Sequence, residues 1–387
     1  MRTESVHAKA LVLGAGPAGL LAGLELLRQG FTPLLLERGQ PGESWRRMPS
    51  NLRLVSPWRA NHLAQFDTHR FPIHQAVTAA EYHQYLTQLA AASALALRTG
   101  VTVQRVQHHS GRFELETDRG RFLSSIVINA TGYFSRPFIP DIPGAENSPI
   151  PQTHFAQCGS GSRPGKEPGG LAGRLVLVVG QRLSAAYLLP ELVAAGCQVA
   201  LAHRSPLAFG PNPFTAAMAF RLLPELERIR LATRGPNSSG FPPLMPCSPM
   251  KPWFRNGTVR AVGPLARFGG TEVFCESGES LRPDLILWAT GFRPALNHLA
   301  PLGLTFDTAS GRPRLNGFES AEQPGLFFLG LDGLRDFRSR FLRGLRLDAP
   351  LLAQQVATRH RTASTSVTLT RSPATAPRQG HGEALVP

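Results

Sequence analysis

Three glycines, Gly14, Gly16 and Gly19, stand at the spacing G-x-G-x-x-G, and an acid, Glu37, lies 18 residues beyond the last of them. Each residue type has a task where a strand turns into a helix. Gly14 permits the tight turn. Gly16 lets backbone amides approach a pyrophosphate, and Gly19 allows the helix to pack closely on the strand. The helix N-terminus adds partial positive charge where the phosphates would lie. Glu37 is placed to accept hydrogen bonds from ribose hydroxyls. The triplet alone is a weak signal, and its neighbours decide whether it marks a dinucleotide site.

Those neighbours have the required pattern. Residues 8–13 (AKALVL) read as a buried strand, and 17–29 as a helix stopped by Gly30. Residues 33–36 form a second strand that ends at Glu37. Further on, the Ala/Leu-rich stretch 79–98 reads as a helix. Residues 101–128 read as short strands (VTVQRV, RFELET, FLSSIVI) with a turn at Asp118-Arg119-Gly120. The Gly/Pro/Ser-rich segment 158–173 reads as a linker.

A second unit repeats the plan. Residues 175–179 (LVLVV) read as a strand, 183–195 as a helix, Gly196 as its stop and 198–202 as a strand. Aligning Gly180 with Gly14, an offset of 166, puts Arg182 at the place of Gly16 and Ala185 at that of Gly19. The Cβ of Arg182 impedes close backbone approach to a phosphate, while its guanidinium can bind the same anion. His203 stands where Glu37 stood, and Arg204 matches Arg38. Loss of the acid together with Arg204 favours a 2′-phosphate, hence NADP over NAD. Another echo links the halves: NATGYFSRP at 129–137 and ATGFRP at 289–294, each after a buried strand. Small residues there let the chain cross closely over a bound cofactor.

Composition removes several function classes. At 387 residues with 42% apolar and 17% charged residues, the chain is long enough for two or three domains with a large core. No apolar run approaches the length of a membrane span, and the N-terminus shows no leader pattern. The net charge of +15 comes from 41 basic residues, of which only three are lysine. The arginines are scattered rather than striped, which argues against a nucleic-acid partner. Four separated cysteines, Cys158, Cys197, Cys247 and Cys275, offer no C-x-x-C pair or zinc spacing and fit a reducing cytoplasm. From about residue 358 the Thr/Ser/Arg/Pro-rich chain predicts a disordered tail.

The order GAGPAGL, ESW, LRLVSP, ATGYFSRPFIPDIPG, a second nucleotide unit, DLILWATGFRP and GLFFLG resembles class B flavin-dependent monooxygenases over roughly residues 8–350. The resemblance implies an α/β fold with two Rossmann-like dinucleotide-binding domains, the NADP-type domain inserted in the FAD domain. The segments are 1–157 and 288–357 for FAD, 171–287 for NADP, and 358–387 as the tail. It implies that Gly14, Gly16, Pro17, Ala18 and Gly19 hold the FAD pyrophosphate, and that Glu37 and Arg38 hold the adenosine ribose. Ser44 and Trp45 would sit beside the flavin, Val103 would touch adenine through its backbone, and Ala130, Thr131 and Gly132 would line the FAD. Gly330 and Asp332 would approach the ribityl chain and ring, and Gly180, Ser184, Arg204 and Ser205 would bind NADPH. Two departures stand out. Ser148 and Ile150 replace the Phe and Gly of the F-x-G-x-x-x-H signature that ends at His154. Val55 stands where many members carry asparagine.

The activity so implied is oxygenation of a small organic molecule. NADPH gives a hydride to flavin N5, O2 adds at C4a, and the resulting C4a-peroxyflavin passes an oxygen to a nitrogen, sulfur or carbonyl-type acceptor. Water must be kept out for that, and Phe209, Phe214, Phe220, Phe241, Trp253 and Phe254 are candidates for the wall. Two alternatives stay open: a flavin dehydrogenase or oxidase without oxygen insertion, and a non-catalytic flavoprotein. His62, His69, His74 and His154 fall in segments near the expected flavin side, and none is assigned a role.

Overall fold

The computed structural model describes residues 5–49, 52–63, 69–159, 170–209, 250–307 and 311–369. Cys247, Phe214, Phe220, Phe241, most of the expected linker and residues 370–387 lie outside the described residues.

Strand β1 (Ala10–Leu13) leads through the glycine turn into helix α1 (Pro17–Arg28) and out to β2 (Leu34–Glu37). A short helix α2 (Glu43–Arg46) and helix α3 (Ala79–Ala92) follow, then β3 (Ala96–Thr99) and β4 (Ile126–Asn129). Next come β5 (Gln152–His154), β6 (Leu175–Val179), helix α4 (Leu183–Ala194) and β7 (Gln198–Ala202). The remaining parallel strands are β8 (Val259–Val262), β9 (Leu285–Trp288) and β10 (Leu326–Phe328), and helix α5 (Leu342–Leu369) ends the described chain.

Two parallel sheets result. The first runs β3-β2-β1-β4-β10, with two short strands, Glu319–Ser320 and Leu315–Asn316, added at the edge beyond β10. The second runs β8-β7-β6-β9-β5. In both, the strand before the glycine turn is central, flanked by the strand that follows its helix and by a strand from far along the sequence. Ligands bind at such a switch in strand order, outside the carboxyl ends of the strands.

Both sheets are covered on two faces, so their central strands β1, β6 and β9 are apolar throughout, while edge strands such as β3 and β5 carry polar residues. Ala10, Val12, Ile126 and Ile128 face a core shared with α1, α3 and α5. Leu11, Leu13 and Val127 face a second core, formed with the strands Val103–His109, Arg112–Thr117 and Gly120–Ser124. The β6 side chains divide likewise between Val176 and Val178 on one face and Leu177 and Val179 on the other. No described helix is long and apolar enough to cross a membrane, and no metal-ligand cluster occurs among the described residues.

Four expectations change. The helix predicted over 79–98 stops at Ala92, and Ala96–Thr99 becomes an edge strand that pairs with β2. Local composition favours a helix there, but a free sheet edge captures the last residues. FLSSIVI breaks at Ser125 into Gly120–Ser124 and β4, which join different sheets. Strand β5 pairs with β9, so residues 152–154 sit on the second sheet although they precede the expected boundary at 157. Finally, α5 continues to Leu369, past residue 358, as the extension of a helix whose Leu352, Ala353, Val356 and Ala357 belong to the first core.

Candidate dinucleotide sites and the connector between them

At the first turn the geometry assigns each glycine a separate reason. Gly14 has φ +98°, and a Cβ there would lie 2.8 Å from the Ala130 carbonyl oxygen. The β1 turn and the chain leaving β4 therefore cross at backbone distance. At Gly19 a Cβ would lie 1.9 Å from the Gly14 carbonyl oxygen, so only glycine lets α1 pack so tightly on its own turn. A Cβ at Gly16 would meet nothing within 4 Å, so the space above it is a cradle. Gly16 is also the N-cap of α1, with Pro17 at the first turn and no side chain capping the helix. Helix α3, by contrast, carries a full Thr78–Glu81 capping box. The uncapped N–H groups of α1 and the open cradle suit a diphosphate.

Glu37 is buried at the end of β2. Its Oε2 accepts from the Ala15 N–H at 2.7 Å and its Oε1 from Gly39 N–H at 2.9 Å. These bonds orient the carboxylate while leaving each oxygen a further acceptor site for ribose hydroxyls. Arg38 beside it is exposed. Val101 donates its N–H to the Glu37 carbonyl, whereas Val103 lies on the neighbouring four-stranded sheet, in register with Thr117. With Glu37 as the ribose acceptor that the motif resemblance implies, its substitution with alanine is expected to weaken flavin retention about tenfold or more, since the Ala15 and Gly39 N–H groups also lose their acceptor. Flavin release during dialysis measures this.

The ESW segment docks directly on the turn, because the Gly42 N–H donates to the Ala15 carbonyl. Glu43 fixes that loop by accepting from Arg46, Arg47 and Gln40 N–H. Hydrogen bonding from Arg46, which outweighs burial, holds its carboxyl down at about 2. Half-buried Ser44 and Trp45 follow. Trp45 meets Tyr82 edge-on at 4.8 Å and Phe134 at 6.0 Å. At the far end, Gly330 has φ +81°, and a Cβ there would lie 3.0 Å from the Ala18 Cβ. The Asp332 N–H donates to Tyr133 Oη at 2.6 Å, which ties the loop after β10 to the loop after β4.

The second turn repeats the first. Gly180 has φ +125°, and a Cβ there would lie 2.4 Å from the Ala289 carbonyl oxygen, as Gly14 relates to Ala130. Arg182 is the N-cap of α4, again with no side chain capping the helix, and its side chain is exposed. Ala185 is fully buried, so alanine fits the third glycine place. Ser184 is half-buried in the first turn of α4, and Arg204 and Ser205 are exposed at the end of β7. Gln181, a residue that no motif singles out, accepts from the N–H groups of both Arg204 and Ser205.

The two ATG segments meet. Pro137 and Phe292 form an antiparallel bridge. Around it, Phe138 N–H donates to Gly291, Arg293 N–H to Arg136 and Ala295 N–H to Gly132. Thr131 Oγ1 donates to the Ala295 carbonyl at 2.9 Å, and Thr290 Oγ1 donates to the Phe138 carbonyl. Gly132 and Gly291, both at positive φ, turn each strand end into this connector. An aromatic row accompanies it: Phe134 on Phe292 at 5.1 Å, and Phe292 on His154 at 5.1 Å. In the sequence Phe292 directly follows its ATG, and Phe134 stands one place further beyond the other.

The histidines separate clearly. His154 Nε2 lies 3.0 Å from the Gly291 carbonyl, and its Nδ1 accepts from Ala156 N–H. Burial pushes it toward the neutral form, so it is a neutral brace of the connector. His62 is buried beside Arg346, and His69 and His74 are exposed.

The family model for pyridine nucleotide-disulphide oxidoreductases matches residues 11–229. The chain belongs to this family. It is a flavin-dependent oxidoreductase. Its fold is similar to that of a flavin-containing monooxygenase from Stenotrophomonas maltophilia, at a TM-score of 0.74 and 26% identity, covering 91% of this chain and 99% of that one. An indole-3-pyruvate monooxygenase of Oryza sativa is 27% identical over 76% of this chain and 78% of the relative. Bacilliredoxin reductase of Bacillus subtilis is 24% identical over 80% and 85%. The resemblance to flavin monooxygenases drawn from the motifs thus holds across most of the chain.

Proposed function

We propose that the chain is an FAD-dependent, NADPH-using monooxygenase that transfers one oxygen atom of O2 to a nitrogen, sulfur or carbonyl-type centre of a small organic molecule in the cytoplasm. The observation that carries this reading is the connector: two strand–turn–helix units with uncapped helix N-termini, the first with an open cradle at Gly16, joined through the paired ATG loops beside Trp45, Phe134 and Phe292. In this reading residues 1–157 and 288–357 form the flavin domain, apart from β5, which serves the second sheet, and 171–287 form the nucleotide domain.

Gly14, Gly16, Pro17, Ala18 and Gly19 would hold the FAD diphosphate, and Glu37 and Arg38 the ribose. Ala130, Thr131, Gly132, Gly330 and Asp332 would border the chain toward the ring, with Ser44 and Trp45 beside it. Gly180, Ser184, Arg204 and Ser205 would take NADPH. Bound FAD supplies the redox chemistry and the activation of O2. The backbone bonds of the connector would hold the ring in place, and half-buried Trp45 and Phe292, with exposed Phe134 edge-on against both, would give it an apolar border. His154, its Nε2 against the Gly291 carbonyl, braces the connector.

A disulphide-reducing reading follows from the similarity to bacilliredoxin reductase. The described thiols speak against it: burial pushes Cys158 up to about 11 and raises Cys197 and Cys275, the reverse of what an attacking thiolate needs.

Rapid mixing with NADPH under anaerobic conditions, then with isotopically labelled O2 and a panel of amines, sulfides and ketones, tests the proposal. Bleaching of the flavin band by NADPH and one labelled oxygen per product are the expected results. Bleaching with no labelled product would leave the dehydrogenase or oxidase reading, and no bleaching would remove NADPH use.

A further inference from the structure

Both strand–turn–helix units carry a bridge between turn and strand end, with opposite polarity. In the first, the strand end reaches back: Glu37 accepts from Ala15 and Gly39. The offset of 166 maps Ala15 to Gln181, Glu37 to His203, Arg38 to Arg204 and Gly39 to Ser205. In the second unit the turn reaches forward. Gln181 Oε1 accepts from the N–H groups of Arg204 and Ser205, at 3.1 Å each, and its Nε2 donates to the Pro206 carbonyl at 3.4 Å. His203, which stands where the first unit has Glu37, has its Nδ1 2.9 Å from the Ser205 carbonyl. The first unit therefore presents an acceptor, suited to ribose hydroxyls. The second presents two consecutive N–H donors converging on a single oxygen, a concavity that suits an anion. Arg182 and Arg204 add exposed cations on the same turn and strand end.

We propose that Gln181 is a specificity-determining residue of the second nucleotide site. Its side-chain oxygen holds the place of a 2′-phosphate oxygen on the Arg204 and Ser205 amides. A 2′-phosphorylated adenosine must displace it, and an unphosphorylated one leaves it in position. The charged phosphate oxygen makes the stronger bonds to the same donors, so displacement proceeds at a cost in affinity that the bare concavity would not impose. This inference rests on the reading that the second unit binds a nicotinamide dinucleotide.

Calorimetric titration of the FAD-loaded protein with adenosine 2′,5′-bisphosphate and with adenosine 5′-monophosphate tests it in the parent, Gln181→Ala and Gln181→Glu. Alanine frees both amides and is expected to tighten the bisphosphate about tenfold, leaving the monophosphate within about twofold. Glutamate fixes both amides with a charged oxygen and repels phosphate, so it is expected to weaken the bisphosphate about tenfold or more. Equal weakening of both nucleotides by Gln181→Ala would make Gln181 a mere tether of the loop at 203–206 and overturn the proposal. Monophosphate binding with a bisphosphate affinity indifferent to both substitutions would overturn the proposal alone. Binding of neither nucleotide to any of the three proteins would overturn it together with the reading beneath it.

Discussion

Gly19→Ala is expected to give a protein that retains no flavin and unfolds well below the parent, whereas Gly16→Ala is expected to lose flavin with an apoprotein of near-parental stability. The two sites differ in what a methyl group would strike. At Gly19 the new Cβ would lie 1.9 Å from the Gly14 carbonyl oxygen and 2.9 Å from its carbon. Both are backbone atoms of the turn, and the turn cannot retreat, because Gly14 itself has no room toward Ala130. Helix α1 must then lift off β1, which opens the core around Leu20 and Ala22. Overpacking of this kind costs about 3 kcal/mol or more. At Gly16 the backbone is extended at φ −76° and the methyl group meets no protein atom within 4 Å. Apoprotein stability should change by no more than about 1 kcal/mol there. The methyl group instead occupies the diphosphate cradle, and an affinity loss of about a hundredfold corresponds to roughly 2.8 kcal/mol. Thermal unfolding of apoprotein, together with flavin absorbance after gel filtration, separates the two outcomes. Full flavin retention by Gly16→Ala would remove the first turn from the site.

The second large effect is acid lability centred on His298. This half-buried residue lies on the short helix Asn297–Leu302, whose Leu299 and Leu302 belong to the second core, with its Nε2 2.9 Å from Asn129 Oδ1. Burial pushes its pKa down from 6.5 to about 4. The unfolded chain therefore binds the proton first as pH falls. Stability is intact above about pH 6.5, declines between 6.5 and 4, and levels off below 4, a loss of about 3 kcal/mol from this one group. His298→Gln keeps a neutral polar side chain toward Asn129 and should flatten that part of the curve. Chemical denaturation of both proteins at pH 7.5, 6, 5 and 4.5 reads the difference. Parallel curves would mean that protonated His298 finds an accommodation in the folded state. Because Asn129 ends β4 immediately before the ATG crossover, the same protonation should loosen flavin in step with stability.

The sequence by itself determined both strand–turn–helix units, the tight places that demand Gly14 and Gly19, and the echo of one ATG segment in the other. All of these depend on backbone angles and on apolar patterning within about 30 residues, so local residue types carry them. Tertiary structure alone decided that the ATG segments hydrogen-bond to each other across some 160 positions, that β5 leaves its expected domain for the edge of the second sheet, and that Ala96–Thr99 abandons a helical composition for an open sheet edge. It also decided the direction of the turn-to-strand bridges, which makes an acceptor at Glu37 and a pair of donors beneath Gln181. Such choices turn on which distant surface a segment meets. Apart from proline, every residue carries the same backbone donor and acceptor, so their pairing is decided mainly by the packing of the sheets.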